Sequence, residues 1–288
     1  MHADRFRYIE GKAVLPDNMA DSAKAKEYYE KGLAYSKGEG VELSYKEALK
    51  WFREAAGLGS ADAMYMMGIM NTDGKGLDKS NKRAVKWMIK AADNGHVEAM
   101  RIVGNCYCHG VAVEQNDKKA AEYYRMAADN GDASAMFSLA CYLFSGEGIE
   151  QNDDEGLTWL RKSIDLGYAP AFARIAEMHR YGLIVEQSYP KAIEYYESAA
   201  DKGDGSAMMS LGEMYLGGEG VEQDLSKGVD WIARAAEAGS SDAMYALGGM
   251  YLRGDCVDED RNLGVKWTKA AADAGNMLAK MALERLSE

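Results

Sequence analysis

The stretch "GGEGVEQD", residues 217–224, is where this sequence first suggests chemistry. A glycine-rich loop opening a helix presents free backbone N–H groups and can hold a phosphate. "DGKGLDKS" (73–80) has the outline of a P-loop. However, Asp78 stands where that motif needs glycine, and no strand-like run precedes it. "SYPK" (188–191) has the Ser-x-x-Lys spacing of penicillin-recognising enzymes, but neither Lys-Thr-Gly nor Ser-Asp-Asn accompanies it. "CYCH" (106–109) could supply metal ligands. On a helix, though, Cys106 and Cys108 point about 200° apart, and no second Cys/His cluster has zinc-finger spacing. His179 falls in the aromatic register of Tyr107, Tyr215 and Tyr251, where a packing or groove role is expected. No nucleophile–base pair stands out. No catalytic residue, metal site or cofactor is predicted.

Repetition decides the loop question. Gly59, Gly95, Gly131, Gly167, Gly203, Gly239 and Gly275 stand 36 residues apart, and so do Gly38, Gly74, Gly110, Gly146, Gly182, Gly218 and Gly254. Trp51, Trp87, Trp159, Trp231 and Trp267 share one register, completed by Tyr123 and Tyr195. The opening loop therefore has six siblings. Seven phosphate sites are incompatible with a net charge of −12 (34 basic against 46 acidic residues), and an acid follows Val221 and its counterparts near each helix start. The same charge argues against nucleic acid as a partner. The second loop glycine is replaced by Ala112, Ile184 and Cys256, so it is preferred but not required.

The elements that carry these loops read as helix pairs. In the sixth unit, helix A is predicted over about 204–217 and helix B over about 224–237. Ala207, Met208, Leu211, Gly212 and Tyr215 line one face of helix A; Gly228, Val229, Ile232, Ala235 and Ala236 form the stripe of helix B. Ser44, Ser80, Asn116, Asn152, Ser188, Asp224 and Asp260 occupy the N-cap register of helix B. Small residues at Ala48, Ala84, Ala120, Gly156, Ala192, Gly228 and Gly264 permit close helix approach.

A 36-residue helix pair of this kind resembles the Sel-one-like repeat family, a relative of the tetratricopeptide repeats. The resemblance rests on Ala207, Leu211-Gly212, Tyr215, Gly218, Gly220-Val221, Gly228, Trp231, Ala235-Ala236 and Gly239, recurring through most units. It implies an all-α, right-handed α-solenoid superhelix of about seven repeats that binds proteins and assembles complexes, without catalysis. The expected organisation is an N-terminal extension or cap (1–23), seven repeats (24–275) and a C-terminal capping helix (276–288), in which Lys280 and Glu284 face outward. Some members of the family are connected with β-lactams, so a hydrolase or cell-wall-ligand protein is the alternative.

In related solenoids helix A lines the concave surface. Its varied positions are then the candidate groove: Tyr29, Tyr65, Arg101, Phe137, Met209 and Tyr245 in one register, Asn105, Glu177 and Glu213 in the next, and Arg180 in a third. Aromatic residues and arginine are common binding anchors. Asn105 could hold a peptide backbone, and Glu177 and Glu213 could meet basic side chains. The expected function is a non-enzymatic interaction scaffold for a protein or peptide segment, acting as a monomer. Cys106, Cys108, Cys141 and Cys256 follow no disulfide spacing, the N-terminus lacks a signal-like apolar run, and no apolar run is long enough to span a membrane. These features point to the cytoplasm, or to the periplasm or exterior if a signal peptide was removed, and to no membrane insertion.

Overall fold

The computed structural model describes residues 8–9, 12–13 and 17–286. Residues 1–7, 10–11 and 14–16 of the expected extension, and 287–288 of the expected cap, lie outside the described residues. A short antiparallel pair, β1 (Tyr8–Ile9) and β2 (Lys12–Ala13), sets Tyr8 opposite Ala13. All else that is regular is helical: α1 (Asp17–Lys37), α2 (Tyr45–Gly57), α3 (Ala61–Asp73), α4 (Asn81–Asp93), α5 (Val97–His109), α6 (Asp117–Asp129), α7 (Ala133–Ser145), α8 (Asp153–Asp165), α9 (Ala169–Tyr181), α10 (Tyr189–Asp201), α11 (Gly205–Gly217), α12 (Leu225–Glu237), α13 (Ser241–Arg253), α14 (Arg261–Asp273) and α15 (Met277–Leu286). Odd helices are helix A and even helices helix B. The chain forms two compact units, residues 1–156 and 157–288, divided inside α8. The 23/24 division expected from the sequence falls within the continuous α1.

The caps explain the constant helix length. Ser44, Ser80, Asn116, Asn152, Asp224 and Asp260 each accept a backbone N–H three residues on. Ser188 departs from the expectation: it has the extended N-cap backbone, but its side chain makes no capping bond, and Pro190 stands in the first turn behind it. Gly74, Gly110, Gly146, Gly182, Gly218 and Gly254 end their helices in the left-handed conformation. The second loop glycine also lies against a neighbour. A methyl on Gly220 would collide with Cβ of Tyr189, and one on Gly148 with the backbone of Asp117. Ala112, Ile184 and Cys256 keep the same positive φ, at 60°, 64° and 63°.

Phe52, Leu139 and Leu143 are fully buried in the first unit; Leu211, Met214, Ile232 and Leu247 are buried in the second. Glycine sets how closely each pair approaches. A methyl on Gly212 would meet Ile232 Cγ1 at 2.5 Å, and one on Gly104 would meet the Tyr124 ring at 2.7 Å. Another small register is matched in size by its partner. Phe144, Leu216 and Leu252 fill the space over Gly156, Gly228 and Gly264. Where that register holds Ala48, Ala84 or Ala120, the partner position holds Ser36, Thr72 or Cys108; Ala192, with Arg180 at its partner position, is the exception. Val221 is partly buried against the second unit's core, whereas its counterpart Val41 is exposed.

Trp231 and Trp159 are buried, and a cation three residues on covers each ring: Arg234 at 3.9 Å and Lys162 at 3.8 Å. At the C-terminal end, Lys280 and Glu284 of α15 are exposed, but so are Met277, Leu278 and Met281, which makes that helix's outer side mixed.

Candidate functional site

Most of the varied helix A positions are half-buried. In the first unit, the Tyr29 ring lies 5.8 Å from Phe52, and Tyr65 stacks on His96 with centroids 4.1 Å apart. Burial raises both phenol pKa values; Asp62 adds to this at Tyr29, and Glu98 at Tyr65. Tyr29 and Arg101 also lie near enough to Tyr65 to act on its phenol. Arg101 reaches Asp132 at 3.2 Å and Glu98 at 3.7 Å. The Asn105 amide oxygen accepts the Tyr124 hydroxyl at 2.7 Å, which commits part of the capacity expected for a peptide. Phe137 is half-buried on α7.

In the second unit, Arg180 is buried. It donates to Glu219 at 2.6 Å and approaches Glu213 at 3.4 Å. Burial opposes its charge, but the bond to Glu219 and that residue's charge outweigh burial and raise the guanidinium pKa further. Glu213 is exposed yet shares Arg180, and Glu177 pairs with Arg174 one turn back. Met209 packs partly buried on the core. Tyr245 borders a cavity of about 330 Å³ together with Gly249, Leu252 and Arg285. That cavity draws one residue from each of the three varied registers.

Sequence reasoning missed a second capping register. Ser60, His96, Asp132, Asp204, Ser240 and Asn276 cap helix A by accepting an N–H three residues on. Several of these caps also join repeats. Asp132 receives Arg101, His96 receives the Tyr65 ring, and Asn276 donates to Asp242 at 2.8 Å. The signal was a capping residue immediately after each glycine of the Gly59 series except Gly167, which Tyr168 follows without a side-chain cap. Among the described residues no cluster of three or more His, Cys, Asp or Glu converges as a metal site. All four cysteines are free.

A protein-family model for the Sel1 repeat matches residues 7–33, 32–60, 61–96, 97–132, 133–168, 169–204, 205–240 and 241–276. The chain belongs to the Sel1 repeat family. Seven of these matches follow the units read from the sequence; the eighth, 7–33, adds the N-terminal extension and the front of α1. The chain is similar to a Sel1 repeat protein from Oxalobacter formigenes, with 32% identity and a TM-score of 0.76 over 91% of this chain and 76% of that one. It is also similar to c5321, a protective antigen of uropathogenic Escherichia coli strains with an SLR fold: 29% identity and a TM-score of 0.71 over 93% of this chain and 57% of that one. The immunity protein Pa5087 from Pseudomonas aeruginosa, 22% identical, shares the fold with a TM-score of 0.56 over 75% of this chain and 83% of its own. No curated protein matches the chain. Sel1 repeat proteins generally mediate protein–protein interactions. Among the described residues no helix is long and apolar enough to cross a membrane.

Proposed function

We propose that this Sel1 repeat protein is a non-enzymatic scaffold that binds a peptide or protein segment along its helix A surface. One observation carries the reading: the positions that differ from repeat to repeat hold aromatic and charged side chains that remain partly accessible, and at Tyr245, Gly249 and Leu252 they surround a cavity. Scaffold positions are instead filled by repeated small and aromatic residues. Half-buried tyrosines suit this role, since they offer contact area at small entropic cost. Arg180 then acts as a brace that holds Glu213 and Glu219, and the exposed Glu213 edge favours a partner with basic side chains. A monomer in a reducing compartment such as the cytoplasm is the proposed setting, supported by the four free thiols.

Quantitative capture from the source lysate tests the groove. A Tyr65→Ala/Arg101→Ala/Phe137→Ala variant should retain helical circular dichroism and lose at least about tenfold in partner recovery. Equal recovery by a folded variant would remove these residues from the site.

A further inference from the structure

The register of Tyr35, Tyr107, Tyr215 and Tyr251 holds Asn71 in α3 and His179 in α9. At Tyr107 and Tyr215 the ring fills the space beside a lysine of the following helix. Lys119 lies 4.9 Å over the Tyr107 ring, and Lys227 lies 4.0 Å over Tyr215 and donates to its hydroxyl at 2.6 Å. The shorter side chains leave a cavity. One of about 440 Å³ surrounds Asn71, bordered by Arg53, Met67, Leu77, Arg83 and Trp87. Another of about 440 Å³ surrounds His179, bordered by Arg161, Ile175, Val185, Lys191 and Tyr195. Each residue of the second group stands three 36-residue steps after its counterpart in the first. The same feature therefore occurs twice, once within each unit.

Both cavities combine two cations, an aliphatic floor and an aromatic wall. The Arg83 guanidinium is oriented but not neutralised: Nε donates to Asn71 Oδ1 at 3.0 Å, and another nitrogen donates to the Asp78 carbonyl at 2.6 Å. Asn71 is itself fixed, since its amide donates to the Met67 carbonyl at 2.7 Å. His179 Nδ1 lies 3.0 Å from the Glu186 carbonyl, which can only accept, so Nδ1 carries a proton. Its ring stacks parallel to Tyr195. Among the described residues, Arg53, Arg161 and Lys191 form no ion pair. Asp78 lines the first cavity, and Glu186 and Glu194 line the second. These acids disfavour a dianion such as phosphate, whereas a single carboxylate between the two cations is tolerated.

We propose that each cavity binds one organic carboxylate with an apolar body, the carboxylate between the paired cations and the body against Trp87 or Tyr195. The site lies between a helix A and the helices B that flank it, and it uses none of the residues of the proposed groove. A ¹⁹F NMR titration of the full chain with 4-fluorobenzoate tests it. Saturable binding is expected with a Kd of about 1 mM or tighter. Asn71→Tyr/His179→Tyr restores the side chain that sister repeats carry at this register and should abolish binding, with the melting temperature kept or raised. Arg53→Gln/Arg161→Gln, at exposed positions, should weaken binding about tenfold. The proposal is overturned by absence of saturation up to about 10 mM, by unchanged affinity in a folded variant, or by equal binding of fluorobenzene. Displacement by inorganic phosphate as effective as by benzoate would also overturn it, since the apolar body would then count for nothing.

Discussion

Ile184 occupies a loop position whose backbone favours glycine, with φ at 64° and the side chain exposed. A β-branched residue in that region is strained. Replacing it by glycine relieves the strain, partly offset by the larger entropy of the unfolded glycine chain. Ile184→Gly should therefore stabilise by about 1 kcal/mol, read as a higher urea midpoint at constant slope. Gly220→Ile should do the opposite and more severely, because Tyr189 stands where its Cβ would go. The cysteines offer a second residue-scale test. Burial pushes the Cys106 thiol pKa up, while Cys256 is exposed. Only the thiolate reacts, so raising the pH from 7 to 9 should leave Cys106 lagging throughout. Iodoacetamide mass spectrometry should show Cys256 modified at least about ten times faster.

Helices were the most legible elements. The expected spans 204–217 and 224–237 match α11 and α12 once their caps, Asp204 and Asp224, are set apart. Periodicity, glycine and capping residues all pointed to the same ends, so the boundaries were fixed several times over. The start of α1 at Asp17 was not legible, because no turn glycine of the repeating kind marks it. The size match between Leu216 and Gly228 was present in the sequence, but it becomes meaningful only when the two helices are known to touch there. It yields a double-mutant cycle. Gly228→Ala should destabilise by about 1–3 kcal/mol through crowding of Leu216. Adding Leu216→Thr copies the Thr72/Ala84 pairing and should recover much of that loss in thermal unfolding. Additive effects would show that the two positions do not share the space.

At the scale of the whole molecule, repeats contact mainly their neighbours, so damage should remain local. Trp231→Ala is expected to cost roughly 3–5 kcal/mol. Hydrogen exchange should then accelerate in α11, α12 and α13, while α3 and α4 keep their protection. Uniform acceleration along the chain would mean that the repeats unfold as a single cooperative block. The candidate site was only partly readable at this scale. Tyr29, Tyr65 and Arg101 were nominated because their register varies, and Tyr29 and Arg101 lie near enough to Tyr65 to act on its phenol. The burial of Arg180 depends on Glu219, which sits 39 residues away in a loop that the periodic pattern treats as spacer. The two cavities around Asn71 and His179 were hidden for another reason: these residues look like ordinary departures from an aromatic register until the volume they vacate is seen.

That vacated volume has a genetic consequence. Tyrosine, histidine and asparagine codons differ only in their first base. A repeat in which tyrosine plugs this space is one point mutation from an open cavity, and an open one is a single mutation from closure. The tryptophan or tyrosine wall is already in place, and Lys119 and Lys227 supply one cation beside Tyr107 and Tyr215, but the register of Arg53 and Arg161 holds Ile89 and Glu197 there, so the second cation must still be acquired. Duplicated repeats of this design can gain, lose or relocate small binding sites without passing through an unfolded intermediate sequence.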